Sequence, residues 1–191
     1  MGSEWVIERA QSVGRIVIAP NLPPGFVLFY TSADSAGTLD NASIDELRRI
    51  LRDRFHIDAE LASCSQVHGV EVVRAEPGKV WCEHSGCDAL FTTSEAVALG
   101  IKVADCLPVT LIDPVHSIIA NIHSGWRGAA ARIVNRTVAT LRADAAFDAG
   151  RASAWLGPSI RSCCFEVGEE VVEQLGDAYG DVDRFVDRSS G

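Results

Sequence analysis

The sequence has no run of about 18 consecutive apolar residues, so no membrane-spanning helix is expected. Met1 to Ala10 carries Glu4 and Glu8 and has no basic stretch leading into a long apolar core, so it does not read as a secretory signal. A cytoplasmic location is the expectation. Positive charge is scarce: 17 Lys and Arg stand against 26 Asp and Glu, a net charge of -9. That balance excludes nonspecific nucleic-acid binding, which needs cations on phosphates, and adhesion to an anionic membrane surface. It leaves room for an anionic small substrate, because one local Arg acts against the global sign. Paired Cys-x-x-Cys motifs are also missing, so no zinc-ribbon framework is present.

What remains is ordinary globular material. The chain has 191 residues, 47% hydrophobic and 23% charged, with no internal repeat or low-complexity stretch. A single domain over residues 1–191 is expected. A chain of this length buries about 70% of its unfolded surface, so any metal would serve chemistry before folding. In a reducing compartment its six cysteines, Cys64, Cys82, Cys87, Cys106, Cys163 and Cys164, should be thiols. The Cys82–Cys87 stretch, with His84 inside it, reads as a polar surface loop.

Residues 20–24, Pro-Asn-Leu-Pro-Pro, break the chain ahead of a buried strand over 25–30. Ser43 and Glu46 form a capping-box pattern, and Ile44, Leu47, Ile50, Leu51 and Phe55 follow at helical spacing, which predicts a helix from Ser43 to Phe55. Val70 to Arg74 reads as a strand. Pro108–Ile112 and Ser117–Ile122 read as a hairpin closed by Asp113-Pro114-Val115-His116. One helix is expected over Gly128–Leu141, a strand over Ser153–Leu156 and a last helix over Gly168–Leu175. Strands and helices without strict alternation predict an α+β fold.

Three segments place reactive residues at the ends of apolar runs: Gln66-Val67-His68-Gly69, Val103-Ala104-Asp105-Cys106-Leu107-Pro108 and Ile122-His123-Ser124-Gly125-Trp126-Arg127-Gly128. Two imidazoles and a thiolate from His68, Cys106 and His123 make a zinc ligand set with a fourth position left for water or substrate. The same trio suits copper, and Cys106 with one His also makes a metal-free nucleophile–base pair. Asp105 reads as an acid–base group, a ligand orienter or a strand-end hydrogen bonder, and Trp126 as a purine-stacking ring or a rim aromatic. Gly125 and Gly128 read as permitting tight backbone at a helix start.

At these segments the chain resembles the YfiH family, also called multicopper polyphenol oxidase or laccase-domain proteins. The likeness rests on QVHG at 66–69, ADCLPV at 104–109 and HSGWRG at 123–128. It extends through DAL at 88–90, DP at 113–114, WLGPSI at 155–160 and FEVGEEV at 165–171, in that order. The resemblance implies a mixed β-sandwich flanked by helices, in α/β/β/α layers. It also implies a Zn2+ site of His68, Cys106 and His123, with copper less favoured because five His are too few for a multicopper centre. The implied activity is purine nucleoside phosphorolysis: adenosine or inosine plus phosphate gives base and ribose 1-phosphate. Adenosine deaminase and methylthioadenosine phosphorylase activities are attributed to the same family. Alternatives are a Cys–His hydrolase in peptidoglycan-precursor editing, with Cys106 as nucleophile, and a copper-dependent polyphenol oxidase.

For such an enzyme, His68, Cys106, His123 and Asp105 are the expected catalytic residues, and Arg48, Trp126 and Arg127 the substrate-binding ones. Arg48 matches the Arg of a family Asn-Arg pair, whose Asn is Leu47 here. Thr31–Gly37 departs from the family's N-terminal segment. The family pattern continues past Gly191, which reads as incompleteness at the C-terminus. A purine nucleoside and phosphate are the expected partners, with no nucleic acid or membrane, in a monomer or homodimer.

Overall fold

The computed structural model describes residues 6–10, 14–32, 41–78 and 81–188. These form two compact units: the described residues up to Leu61 with Pro77–Trp81, and Ala62–Glu76 with Cys82 onward.

In the first unit, β1 (Val6–Ala10), β2 (Gly14–Ile18) and β3 (Phe29–Ser32) form an antiparallel sheet in that order. The expected strand at 25–30 starts later. Phe26 N–H donates to the Pro23 carbonyl and Gly25 takes a φ of 87°, so the proline-rich stretch closes a turn first. The helix α1 (Asn41–Phe55) begins before Ser43, with Asn41, a residue favoured at helix starts, at its first position. Ser43 therefore lies inside the helix, and Glu46 accepts from Arg49 Nε at 2.8 Å. The Ser43 side chain lies outside the described residues, as do residues 33–37 of the Thr31–Gly37 segment. The apolar stripe of α1 does face a core: Ile50 packs with Ile16, joined by Ile18, Phe29, Leu47 and Phe55.

The chain passes from the first unit into the second within β4 (Glu60–Ser65). It then builds β5 (Val72–Arg74), β6 (Trp81–Ser85), β7 (Ala89–Thr92), β8 (Val97–Gly100), β9 (Leu107–Asp113) and β10 (Ile118–Ser124). The helices α2 (Trp126–Ala130) and α3 (Ile133–Asp144), the strand β11 (Ser153–Leu156) and the helix α4 (Glu169–Tyr179) follow. A five-stranded sheet runs β11-β9-β10-β7-β5, with β5 parallel to β7 and the other pairs antiparallel. A three-stranded sheet runs β6-β4-β8. The fold is mixed α+β, as its sequence pattern predicts.

The β9–β10 hairpin forms with Val109 opposite Ile122. Its turn is built on Asp113, whose fully buried carboxylate accepts from Val115 N–H at 2.9 Å, His116 N–H at 3.2 Å and Asp148 N–H at 2.9 Å. The core beneath the large sheet joins Phe91, Val109, Leu111, Ile118 and Ile122 to Ile133 and Leu141 of α3 and to Phe147. The single helix expected over Gly128–Leu141 is two helices. Arg132 sits between them at φ 59°, its guanidinium donating to the Ala178 carbonyl and lying over the Tyr179 ring. α4 outruns its expected end because Tyr179 Oη donates to the Ala129 carbonyl at 2.7 Å, fastening the last turn to α2. The stretch expected to be a surface loop at 82–87 is mostly strand β6, and it ends with Cys87 fully buried against Cys64.

Candidate metal centre

The sheet brings His123 to the end of β10, opposite Pro108 of β9, so Cys106 lies just ahead of the neighbouring strand. His68 comes from the loop between β4 and β5. The side-chain ligand atoms of His68, Cys106 and His123 all lie within 4.8 Å of one another. The imidazole rings of His68 and His123 meet edge to face, 4.8 Å between centroids. Bonds of about 2.0–2.3 Å to a zinc-like ion need these atoms to draw in slightly, a side-chain adjustment with no change of strand register. Exposure is graded across the group: His123 is buried, Cys106 half-buried and His68 exposed, so the cluster opens to solvent on the His68 side.

Asp88, at the foot of β7, organises this cluster. Its carboxylate is fully buried and bonded to His123 Nδ1 at 2.7 Å. It also accepts from the backbone N–H groups of Val67 at 3.2 Å, His68 at 2.9 Å and Gly69 at 2.7 Å. Burial pushes the Asp88 carboxyl up, but the bonds from His123, Gly69, Val67 and His68 more than offset it and hold it below the usual carboxylate range. With Nδ1 donating to Asp88, His123 presents Nε2 to the cluster, an arrangement common around histidine metal ligands. The same carboxylate holds His68 at φ 59°, a left-handed conformation that is unfavourable for a non-glycine residue. A second clamp comes from Gln66, which donates from Nε2 to the Lys102 carbonyl at 2.6 Å and accepts from Lys102 N–H at 2.8 Å. It ties the His68 loop to the segment leading into Cys106.

Gly125 is needed here for space. Its φ of -72° is open to any residue. A Cβ at this position would stand 3.0 Å from Cys106 Sγ and 3.1 Å from His68 Cδ2. At Gly128 a Cβ would come within 3.2 Å of the Gly69 carbonyl oxygen. The HSGWRG segment therefore lets a helix start pass against the ligands.

The donor set fits a metal ion: two imidazoles and a sulfur converge, and one imidazole is oriented from behind by a carboxylate. Burial first, and then the charges of Asp105 and Asp88, push the Cys106 thiol up. A bound cation acts in the opposite direction and favours the thiolate.

The other expected site residues are placed as follows. Asp105 is exposed beside Cys106, and its carbonyl accepts from Ile160 N–H at 3.0 Å. Trp126 is half-buried, with the exposed Arg127 guanidinium lying over its ring, 4.2 Å from the centroid. One face of the indole is therefore taken by the cation. Arg48 is on α1 in the first unit, half-buried, its buried Nε without a hydrogen-bond partner among the described residues. The residue missed from sequence is Asp88. Its signal was an acid immediately ahead of the apolar Ala89-Leu90-Phe91, where a buried carboxylate must find donors.

Fold and cluster together define a mixed α+β protein with a His–Cys–His group that can hold a metal ion. A family model described as multi-copper polyphenol oxidoreductase laccase matches residues 30–191, and the chain belongs to that family. An adenosine deaminase, RL5, from an unknown prokaryotic organism is 41% identical over 105 residues, covering 54% of this chain and 39% of the relative. A purine nucleoside phosphorylase of Deinococcus radiodurans is 38% identical over 144 residues, covering 72% of this chain and 54% of the relative. The crystal structure of Bacillus licheniformis hypothetical protein YfiH shares the fold at a TM-score of 0.72 and 21% identity, covering 93% of this chain and 70% of that one. The chain spans about half the length of curated relatives such as those of Deinococcus radiodurans and Pseudomonas aeruginosa.

Proposed function

We propose that the chain carries the metal centre of a zinc-dependent purine nucleoside phosphorylase that converts adenosine or inosine and phosphate to free base and ribose 1-phosphate. Adenosine deamination and methylthioadenosine phosphorolysis are further activities of the same site. The observation that carries this reading is the convergence of His68, Cys106 and His123, with Asp88 bonded behind His123. The names of the relatives, purine nucleoside phosphorylase and adenosine deaminase, supply the substrate class.

His68, Cys106 and His123 would hold the zinc. Bound there, zinc supplies Lewis acidity toward an oxygen ligand. The remaining chemistry falls to the chain's own residues. In phosphorolysis the bond from C1′ to the purine nitrogen breaks as a phosphate oxygen bonds to C1′, and the departing base needs a proton or a hydrogen bond. Asp105, exposed next to Cys106, is suited to proton exchange with solvent. Arg127 has a forked guanidinium for a phosphate, already held in place over Trp126. Trp126 is the candidate ring for stacking on a base.

The test is product analysis after incubation with inosine or adenosine, with and without phosphate, alongside metal analysis. One zinc per chain and phosphate-dependent release of purine are expected. Replacing His68, Cys106 or His123 with Ala should remove both metal and turnover. Full turnover by a metal-free Cys106→Ala protein would overturn the reading. Turnover of a cell-wall peptide precursor by metal-free protein would favour a Cys106 hydrolase, and stoichiometric copper with phenol oxidation the oxidase.

A further inference from the structure

The described residues contain two close thiol pairs, and they differ in access. Cys64 and Cys87 lie 3.2 Å apart, sulfur to sulfur, with neither residue exposed at all. Burial raises both thiols, which suits inert core cysteines. Cys163 and Cys164 lie 3.3 Å apart, sulfur to sulfur, and both are exposed. They sit in the turn that follows β11, where Cys164 N–H and Phe165 N–H both donate to the Arg161 carbonyl. The turn is anchored upstream by Ile160 N–H, which donates to the Asp105 carbonyl at 3.0 Å. Neighbouring side chains on a regular element diverge, whereas this anchored turn sets both sulfurs on one side, facing solvent.

We infer that Cys163 and Cys164 form a vicinal dithiol site that captures trivalent arsenic compounds. A separation of 3.3 Å is well beyond a disulfide bond of about 2.05 Å, yet short enough for one atom to bridge the two sulfurs. A pyramidal acceptor takes two sulfurs side by side. A linear two-coordinate cation needs them on opposite sides, which this turn does not provide. With an organoarsenic oxide, R–As=O, both S–H bonds break and two As–S bonds form. The oxygen leaves with the two protons as water, and arsenic stays trivalent, so no oxidant or reductant is needed. The site lies outside the His68–Cys106–His123 cluster and uses none of its ligands.

The experiment is titration of the purified, folded protein with phenylarsine oxide, followed by intact-mass measurement after a wash with a monothiol such as glutathione. One equivalent should remain bound, and ethanedithiol should remove it, because a second dithiol competes for both bonds. Cys163→Ser and Cys164→Ser should each weaken retention by roughly 10²-fold or more, since a lone thiol loses the effective-concentration advantage of its neighbour. Both positions are exposed, so neither variant disturbs a core. Cys64→Ser and Cys106→Ser should retain the adduct. An adduct that persists in the Cys163→Ser/Cys164→Ser double variant would overturn the inference. So would a wild-type protein that keeps no arsenical through the monothiol wash.

Discussion

At Asp88 one carboxylate bonds to an imidazole and to three consecutive backbone amides. Replacing it with Ala removes the acceptor for all four at once. The expected result is a loss of about 10–100-fold in metal affinity, the usual effect of removing a partner that orients a ligand. Competition with a chromophoric chelator measures it, and an unchanged affinity would show that His123 needs no orienter. Gly125→Ala tests the space around the sulfur. Its backbone tolerates Ala, but the new methyl meets Cys106 Sγ and His68 Cδ2. A folded protein by circular dichroism with weakened metal binding is expected; wild-type metal affinity would show that the clustered side chains move aside freely. His68, Cys106 and His123 were legible in sequence as reactive residue types at the ends of apolar runs, and the fold brings them together. Asp88 showed only as an acid ahead of an apolar run, because its role exists only once the amides of Val67, His68 and Gly69 and the His123 ring surround it. Gly125 was legible as a tight spot but for another reason, backbone freedom, since the sulfur it faces is 19 positions away in sequence.

Secondary-structure elements were legible where local chemistry decides them. The β9–β10 hairpin was read from two β-branched runs and an Asp-Pro turn, and β11 matched its expected bounds. Strands β1, β2, β4, β6, β7 and β8 were not expected; of these, Glu60–Ser65 and Trp81–Ser85 mix polar and small residues and take their extended form from pairing with each other and with β8. The break between α2 and α3 escaped notice for a similar reason, since Arg132 is held by residues of α4. The hairpin turn carries a pH prediction. The buried Asp113 carboxyl is pushed up by burial and pulled down further by bonds from Asp148 N–H, the His116 ring and the His116 and Val115 amides, to about 2. A carboxyl depressed in the folded state stabilises above its unfolded pKa, near 4, and loses that contribution as pH falls through about 2. Asp113→Asn should therefore cost about 1–2 kcal/mol at pH 6. The gap to wild type should narrow toward pH 2, as read by urea unfolding at both pH values. A gap that is the same at both would remove the carboxylate charge from the account.

At the scale of the whole molecule, the chain is acidic, with a net charge of -9. The α+β class was legible because strands and helices fail to alternate, and the order of motifs carried the family resemblance that the family match over residues 30–191 bears out. Sheet order was not legible: the placement of β7 between β10 and β5, with β5 parallel, depends on pairings between distant segments. No helix among the described residues is long and apolar enough to cross a membrane.

The amide cradle around Asp88 has a thermodynamic corollary. Its bonds are made entirely by protein groups, so the conformational entropy of the QVHG loop is surrendered when the polypeptide folds, before any ligand arrives. An ion taken up beside this loop would find its backbone already ordered, with His68 held at its φ of 59°.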